Sequence, residues 1–148
     1  MDRHISFIID TQGALDATAA ASTSPDQPSP MDPVHCFVLG CDAVETGDTL
    51  ILRATGLGFR GEDALVLQAV GVSGGLSPPQ LQVREVKVSA PDFNEPLQLT
   101  LQTVSDHAWT CQLNQPGACT LTLSLGVVAR DCTPRGFFTL TLQLQFAA

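Results

Sequence analysis

Apolar and polar side chains alternate along most of the chain. "LQLTLQTV" at 97–104 sets Leu97, Leu99 and Leu101 on one face and Gln98, Thr100 and Gln102 on the other. "CTLTLSLGVV" at 119–128 repeats the pattern with Leu121, Leu123 and Leu125 against Thr120, Thr122 and Ser124. "FTLTLQLQF" at 138–146 does so again with Phe138, Leu140, Leu142, Leu144 and Phe146. A period of two predicts half-buried strands, apolar side inward, of the kind found in antiparallel sheets. Leu99, Leu101, Leu121, Leu123, Leu125, Leu140, Leu142 and Leu144 are thus the expected core. Weaker strand patterns cover His4–Asp10, Val34–Cys41, Thr49–Ala54, Ala64–Val70, Val83–Val88 and Ala108–Leu113. Turn signals separate them: "ETGD" at 45–48, "GLGFRGED" at 56–63, "SGGLSPP" at 73–79, "APDFNEP" at 90–96, "NQPGA" at 114–118 and "DCTPRG" at 131–136. Together they predict an all-β fold: an antiparallel two-sheet β-sandwich, Ig-like or jelly-roll-like, with about seven to nine strands and little helix.

One passage breaks the alternation. After the apolar run Ile5–Ile9, residues 11–33 are rich in Ala, Ser, Thr, Asp and Pro, with Pro25, Pro28, Pro30 and Pro33. "GALDATAAA" at 13–21 has the composition for a turn or two of helix but no apolar stripe. A linker here would join a lone five-residue strand to a domain, and such a strand is worth forming only on the same sheet. The passage is therefore expected to be a long internal crossing, between two sheets, within one domain spanning 1–148.

Composition narrows the classes of partner. The chain is 44% hydrophobic, as a globular protein is, and carries a net charge of −8. Nucleic-acid backbones and anionic membranes call for basic patches, so neither is an expected partner. Residues 1–63 hold ten acidic and three basic side chains; residues 64–148 hold five and four. The C-terminal half thus shows little charge to solvent. The opening apolar run is shorter than the roughly 7–15 residues of a signal-peptide core. Cys36, Cys41, Cys111, Cys119 and Cys132 include no CxxC, and their number is odd. They are read mainly as reduced, partly buried thiols of a cytoplasmic protein. Cys36 and Cys41 lie an odd number of positions apart and should face opposite ways, which disfavours a bond between them.

Candidate chemistry is thin. His35, Cys36, Cys41, His107 and Cys111 match no zinc spacing. Asp42, Glu45 and Asp48 share one turn but not an EF-hand pattern, so a solvated turn is the simpler reading. "GVSGG" at 71–75 is not a nucleophile elbow, and an all-β chain lacks the strand–turn–helix such a motif needs. No phosphate loop or dinucleotide fingerprint occurs. Trp109 is the single Trp and there is no Tyr, which weakens a lectin reading and favours Trp109 as core or interface. No catalytic, metal or cofactor residue is therefore assigned, and an enzyme is not expected.

Ile9-Asp10-Thr11, Leu15, Ser24-Pro25, Pro28, Asp32 and Phe37-Val38 form a strand ending in Ile-Asp-Thr, a long Pro/Ser loop, and an Asp before the next strand. "GDTLILRATGL" follows at 47–57, with Gly47, Asp48 and Arg53, then Arg130-Asp131 and Gly136-Phe137-Phe138 opening the last strand. In this order the segments resemble the bacterial inclusion-body protein family, the AidA/PixA-like proteins. The chain resembles a divergent member, since that family is rich in Tyr and Trp and carries a Trp-Asp-Pro near its end, absent here. The resemblance implies a cytoplasmic β-sandwich associated with quorum sensing and host interaction, without an established biochemical activity. Asp10, Thr11, Asp32, Gly47, Asp48, Arg53, Arg130, Asp131 and Gly136 are its motif residues. Asp10, Thr11 and Asp32 are expected to accept hydrogen bonds from nearby backbone N–H groups.

Two functions fit. One is a non-enzymatic, self-associating protein, most simply a homodimer, because Asp106 is the only charge between Leu97 and Ala129 and uncharged strands invite a second copy. The other is a ligand-binding module, carbohydrate-binding or for another small molecule, using the acidic turns and Trp109.

Overall fold

The computed structural model describes residues 1–18, 21–57, 63–91, 98–129 and 131–147. Its strands are β1 (Asp2–Asp10), β2 (Ser29–Pro30), β3 (Cys36–Leu39), β4 (Thr49–Leu57), β5 (Asp63–Ser73), β6 (Gln80–Pro91), β7 (Leu99–Gln112), β8 (Gly117–Ala129) and β9 (Pro134–Phe146), with one helix, α1 (Thr11–Ala17). They form a five-stranded sheet, in the order β3-β1-β4-β7-β6, and a four-stranded sheet, β2-β9-β8-β5. One core cluster draws from both sheets: Ile5, Phe7, Ile9, Leu50, Leu52, Cys111 and Leu113 from the first side, Leu67, Leu121, Leu123, Leu125, Phe138 and Leu140 from the other.

The all-β architecture is as the alternation predicts, but the sheets are mixed, which corrects the purely antiparallel expectation. β1 pairs with β4 in parallel, from Asp2 with Thr49 to Asp10 with Leu57, and β2 pairs with β9 in parallel. Parallel neighbours need a long connection, and the passage after β1 supplies it. The chain leaves the first sheet through α1, reaches the second at β2, and returns through a 3-10 turn at Pro33–His35 to β3, which runs antiparallel to β1. The crossing between sheets that the Pro/Ser passage suggested is present.

Asp10 starts the helix by accepting a hydrogen bond from Gly13 N–H at 3.0 Å, and Asp32 starts the 3-10 turn by accepting one from Val34 N–H at 3.0 Å. Thr11 departs from expectation: it is buried and its hydroxyl donates to the Leu57 carbonyl at 3.4 Å, tying the helix to β4. The far end of the passage lies on β9. Phe137 N–H donates to the Ser22 carbonyl at 2.7 Å. A Cβ on Gly136 would stand 3.1 Å from Ala21 and 2.9 Å from a ring carbon of Phe138, so only glycine leaves room for this crossing.

Leu121, Leu123, Leu125, Leu140 and Leu142 are buried, and Leu144 is half-buried. Leu99 and Leu101 are not: they are 69% and 70% exposed. The segments 97–104 and 108–113, expected as two strands, belong largely to one long strand, β7. The three strands of 97–146 therefore do not share a face, because β7 lies in the other sheet from β8 and β9.

Candidate functional site

β7 pairs with β4 over four residues, Trp109 to Gln112 opposite Leu52 to Thr49. Beyond Trp109, among the described residues, it pairs with β6 alone, in unbroken register from Gln80–Thr110 to Pro91–Leu99. The β6–β7 hairpin is thus an arm whose root is in the sandwich. Directly paired residues share a face, so Leu99, Leu101, His107, Trp109, Leu81 and Val83 lie on the face that, further along β7, carries buried Cys111 and Leu113. Leu81 is 50% exposed and Val83 63%. The core-side face continues along the arm, but the second sheet does not follow it.

The root is braced on both faces. On the core side the Trp109 indole N–H donates to the Leu67 carbonyl of β5 at 3.0 Å, joining the two sheets. On the outer side Arg53 of β4 spans the gap where β7 departs. Its Nη2 donates to Asp106 Oδ2 at 2.9 Å, and its Nη1 to His4 Nδ1 at 3.0 Å. An always-protonated guanidinium can only donate, so this contact makes His4 Nδ1 the acceptor. Arg84 of β6 approaches the same carboxylate at 3.4 Å. The Arg53 hydrogen bond, followed by its charge and that of Arg84, holds the Asp106 carboxyl below its usual range. Beside this cluster is a shallow depression of about 490 Å³, lined by Ile51, Arg53, Gln82, Arg84, Asp106 and Thr110.

The other motif residues each hold a separate turn. Gly47 adopts a φ of +96°, where glycine is favoured, and its N–H donates to the Leu113 carbonyl at 2.7 Å. Asp48 is buried in the next position. It accepts from Glu45 N–H at 2.9 Å and Arg3 Nε at 3.0 Å, and these two bonds lower its pKa, the first most. Asp131 accepts from Thr133 N–H at 3.0 Å in the turn before β9. Arg130 lies outside the described residues. Among the described motif positions, Arg53 reaches the Asp106 carboxylate of the arm, and Gly47 accepts a hydrogen bond from Gln112 at the end of β7. Asp106, His4 and Arg84 were not singled out by the sequence; the one available signal was that Asp106 interrupts a long uncharged run. Among the described residues no three His, Cys, Asp or Glu side chains group closely enough to hold a metal ion, and no helix is long and apolar enough to cross a membrane.

No protein-family model and no curated protein sequence matches the chain. A solved structure does. The crystal structure of an inclusion body protein, PixA, from Burkholderia cenocepacia J2315 superposes with a TM-score of 0.78 at 18% identity, covering 99% of this chain and 96% of that one. The fold resembles that of a bacterial inclusion body protein. The resemblance carried by the Ile-Asp-Thr, Gly-Asp-Thr and Gly-Phe-Phe segments thus has a counterpart in three dimensions, over nearly the whole of both chains. At this identity the likeness speaks for the arrangement of strands.

Proposed function

We propose that this protein is a non-enzymatic, self-associating β-sandwich of the inclusion-body type, acting in the cytoplasm in a setting tied to quorum sensing or host interaction. One observation supports this most: the arm carries Leu81, Val83, Leu99 and Leu101 on its core-side face, each at least half exposed. Leu81 with Val83 at the root and Leu99 with Leu101 toward the tip flank the Glu85–Ser105 and Lys87–Thr103 pairs on that face, and apolar groups rimmed by polar residues are where partners dock. The name of the structural neighbour, an inclusion body protein, points the same way. Light scattering across micromolar concentrations tests it. A mass rising to twice the 15.6 kDa of the chain is expected. A single-chain mass at every concentration, in low and high salt, would sink it.

A second reading has its own observation. The depression beside Arg53, Arg84 and Asp106 offers guanidinium and carboxylate groups next to Thr110 and Gln82, the donor and acceptor types that hold a sugar or small polar ligand. A glycan array with and without calcium separates the two, since a defined sugar bound at micromolar strength would favour the binding module.

A further inference from the structure

β6 is the last strand of its sheet, and among the described residues it pairs only with β7. Every second residue from Gln80 to Pro91 therefore turns its backbone N–H and C=O away from the arm. Long regular edges of this kind recruit other strands unless blunted. The other edges are blunted: β2 has two residues, β3 has four, and β5 has a bulge between Leu67 and Ala69. β6 pairs with β7 over twelve residues without a register shift, and its one proline closes it.

Its charges do not blunt it either. We infer that two copies of the chain join edge to edge through β6, antiparallel about a two-fold axis at Val86. This rests on the self-association reading and names its surface. In a continuous sheet directly opposed residues share a face, so a two-fold axis must pass through a residue position. Centring on Glu85 opposes Glu85 to the partner's Glu85, and centring on Lys87 opposes two lysines. Centring on Val86 puts Glu85 opposite the partner's Lys87 and Lys87 opposite the partner's Glu85. Both side chains are exposed, and neither has a hydrogen-bond or ion-pair partner within the described chain, unlike Arg84. A one-sign guard would repel a second copy; this pair matches its own inverse.

The same register continues the arm's apolar rows from one copy into the other. Ser89 pairs with Leu101 inside the chain and would oppose the partner's Val83, which itself pairs with His107. Leu101 then stands in one cross-strand row with the partner's Val83, and by symmetry the row occurs twice. On the opposite face Val86 meets its own copy, flanked by Arg84 beside the partner's Val88. Backbone hydrogen bonds supply the joining force, and the charges select the register.

The composition offers a clean test, because Lys87 is the only lysine in the chain. A carbodiimide condenses an amine with a carboxylate in direct contact. Applied to a mixture of 14N- and 15N-labelled protein, it should give a denaturant-resistant dimer whose mixed-isotope peptide joins Lys87 to Glu85. Glu85→Lys places lysines opposite lysines twice over and should weaken the dimer on the order of tenfold at low salt, less at high salt. The double variant Glu85→Lys, Lys87→Glu should restore wild-type mass, with far-UV circular dichroism checking the fold throughout. A dimer by light scattering that ignores Glu85→Lys and lacks the cross-link would overturn this interface while leaving self-association standing. A wild-type monomer at all concentrations would remove both.

Discussion

Leu123→Ala and Leu101→Ala make one chemical change at two positions that look alike in sequence. Leu123 lies on β8 between Val70 of β5 and Leu140 of β9 and is 0% exposed. Cutting Leu to Ala removes three carbons, about 2.4 kcal/mol of transfer free energy at roughly 0.8 per buried methylene. The space left behind adds a cavity term, giving a total of about 3–4 kcal/mol, inside the measured range of roughly 2–5. Leu101 keeps 70% of its surface in water. Only about a third of the transfer term applies there, so its loss should stay below about 1 kcal/mol. Urea unfolding followed by the fluorescence of Trp109, half-buried between the two sheets, reads both. The comparison uses midpoint shifts at unchanged slope, at the lowest workable concentration so that association contributes little. Equal losses would mean that Leu101 is covered within a single chain and would refute the uncovered arm. A Leu123 loss under about 1 kcal/mol would refute the packed interior at β8.

Three further outcomes are expected. Asp10→Ala removes the N-cap of α1 and should cost about 1 kcal/mol by thermal unfolding while leaving any oligomer intact; unchanged stability with lost association would assign Asp10 to a binding role instead. The folded pKa of Asp48 lies below its unfolded value of about 3.9, so its contribution is present above about pH 4 and disappears as pH falls through the folded pKa. The melting temperatures of wild type and Asp48→Asn should accordingly differ at neutral pH and converge in acid, and parallel curves would contradict the hydrogen-bonded carboxylate. Burial pushes the thiols of Cys36 and Cys111 up to about 11, whereas Cys132 is exposed, so Cys132 should react first with a thiol reagent at pH 8 in the folded protein; faster labelling of Cys111, followed by peptide mapping, would show that the core opens.

The strand faces could be read from the sequence because side-chain alternation directly reports a two-sided surface. Partners could not. The alternation of Leu97–Leu101 and that of Leu121–Leu125 are the same signal, yet one strand is roofed by a second sheet and the other is not. Likewise, "HISFIID" and "TLILRATGL" each read as strands, but nothing local says that they run side by side in parallel. That depends on how far the 11–48 passage travels before returning. The cluster at the arm's root was hidden for a related reason. Arg53 meets His4 and Asp106 across separations of 49 and 53 residues, and single charges at such distances leave no spacing to notice. Caps and turns were more legible, since Asp10 and Asp32 act on residues two or three positions away.

The placement of β1 also governs the order in which the molecule can assemble. It precedes both of its neighbours in the chain, yet it sits inside a sheet, between β3 and β4. Its neighbours lie some thirty and forty-seven residues downstream, as in Ser6 with Leu39 and Asp2 with Thr49. Until those segments leave the ribosome, Ile5, Phe7 and Ile9 have no roof and both edges of the strand are open. Closing such distant pairs sets a slow step. Hairpins β6–β7 and β8–β9, whose partners are adjacent in the chain, can form without waiting for it. β1 is therefore seated only once β3 and β4 have been made, a nascent segment that chaperones would encounter before its neighbours exist.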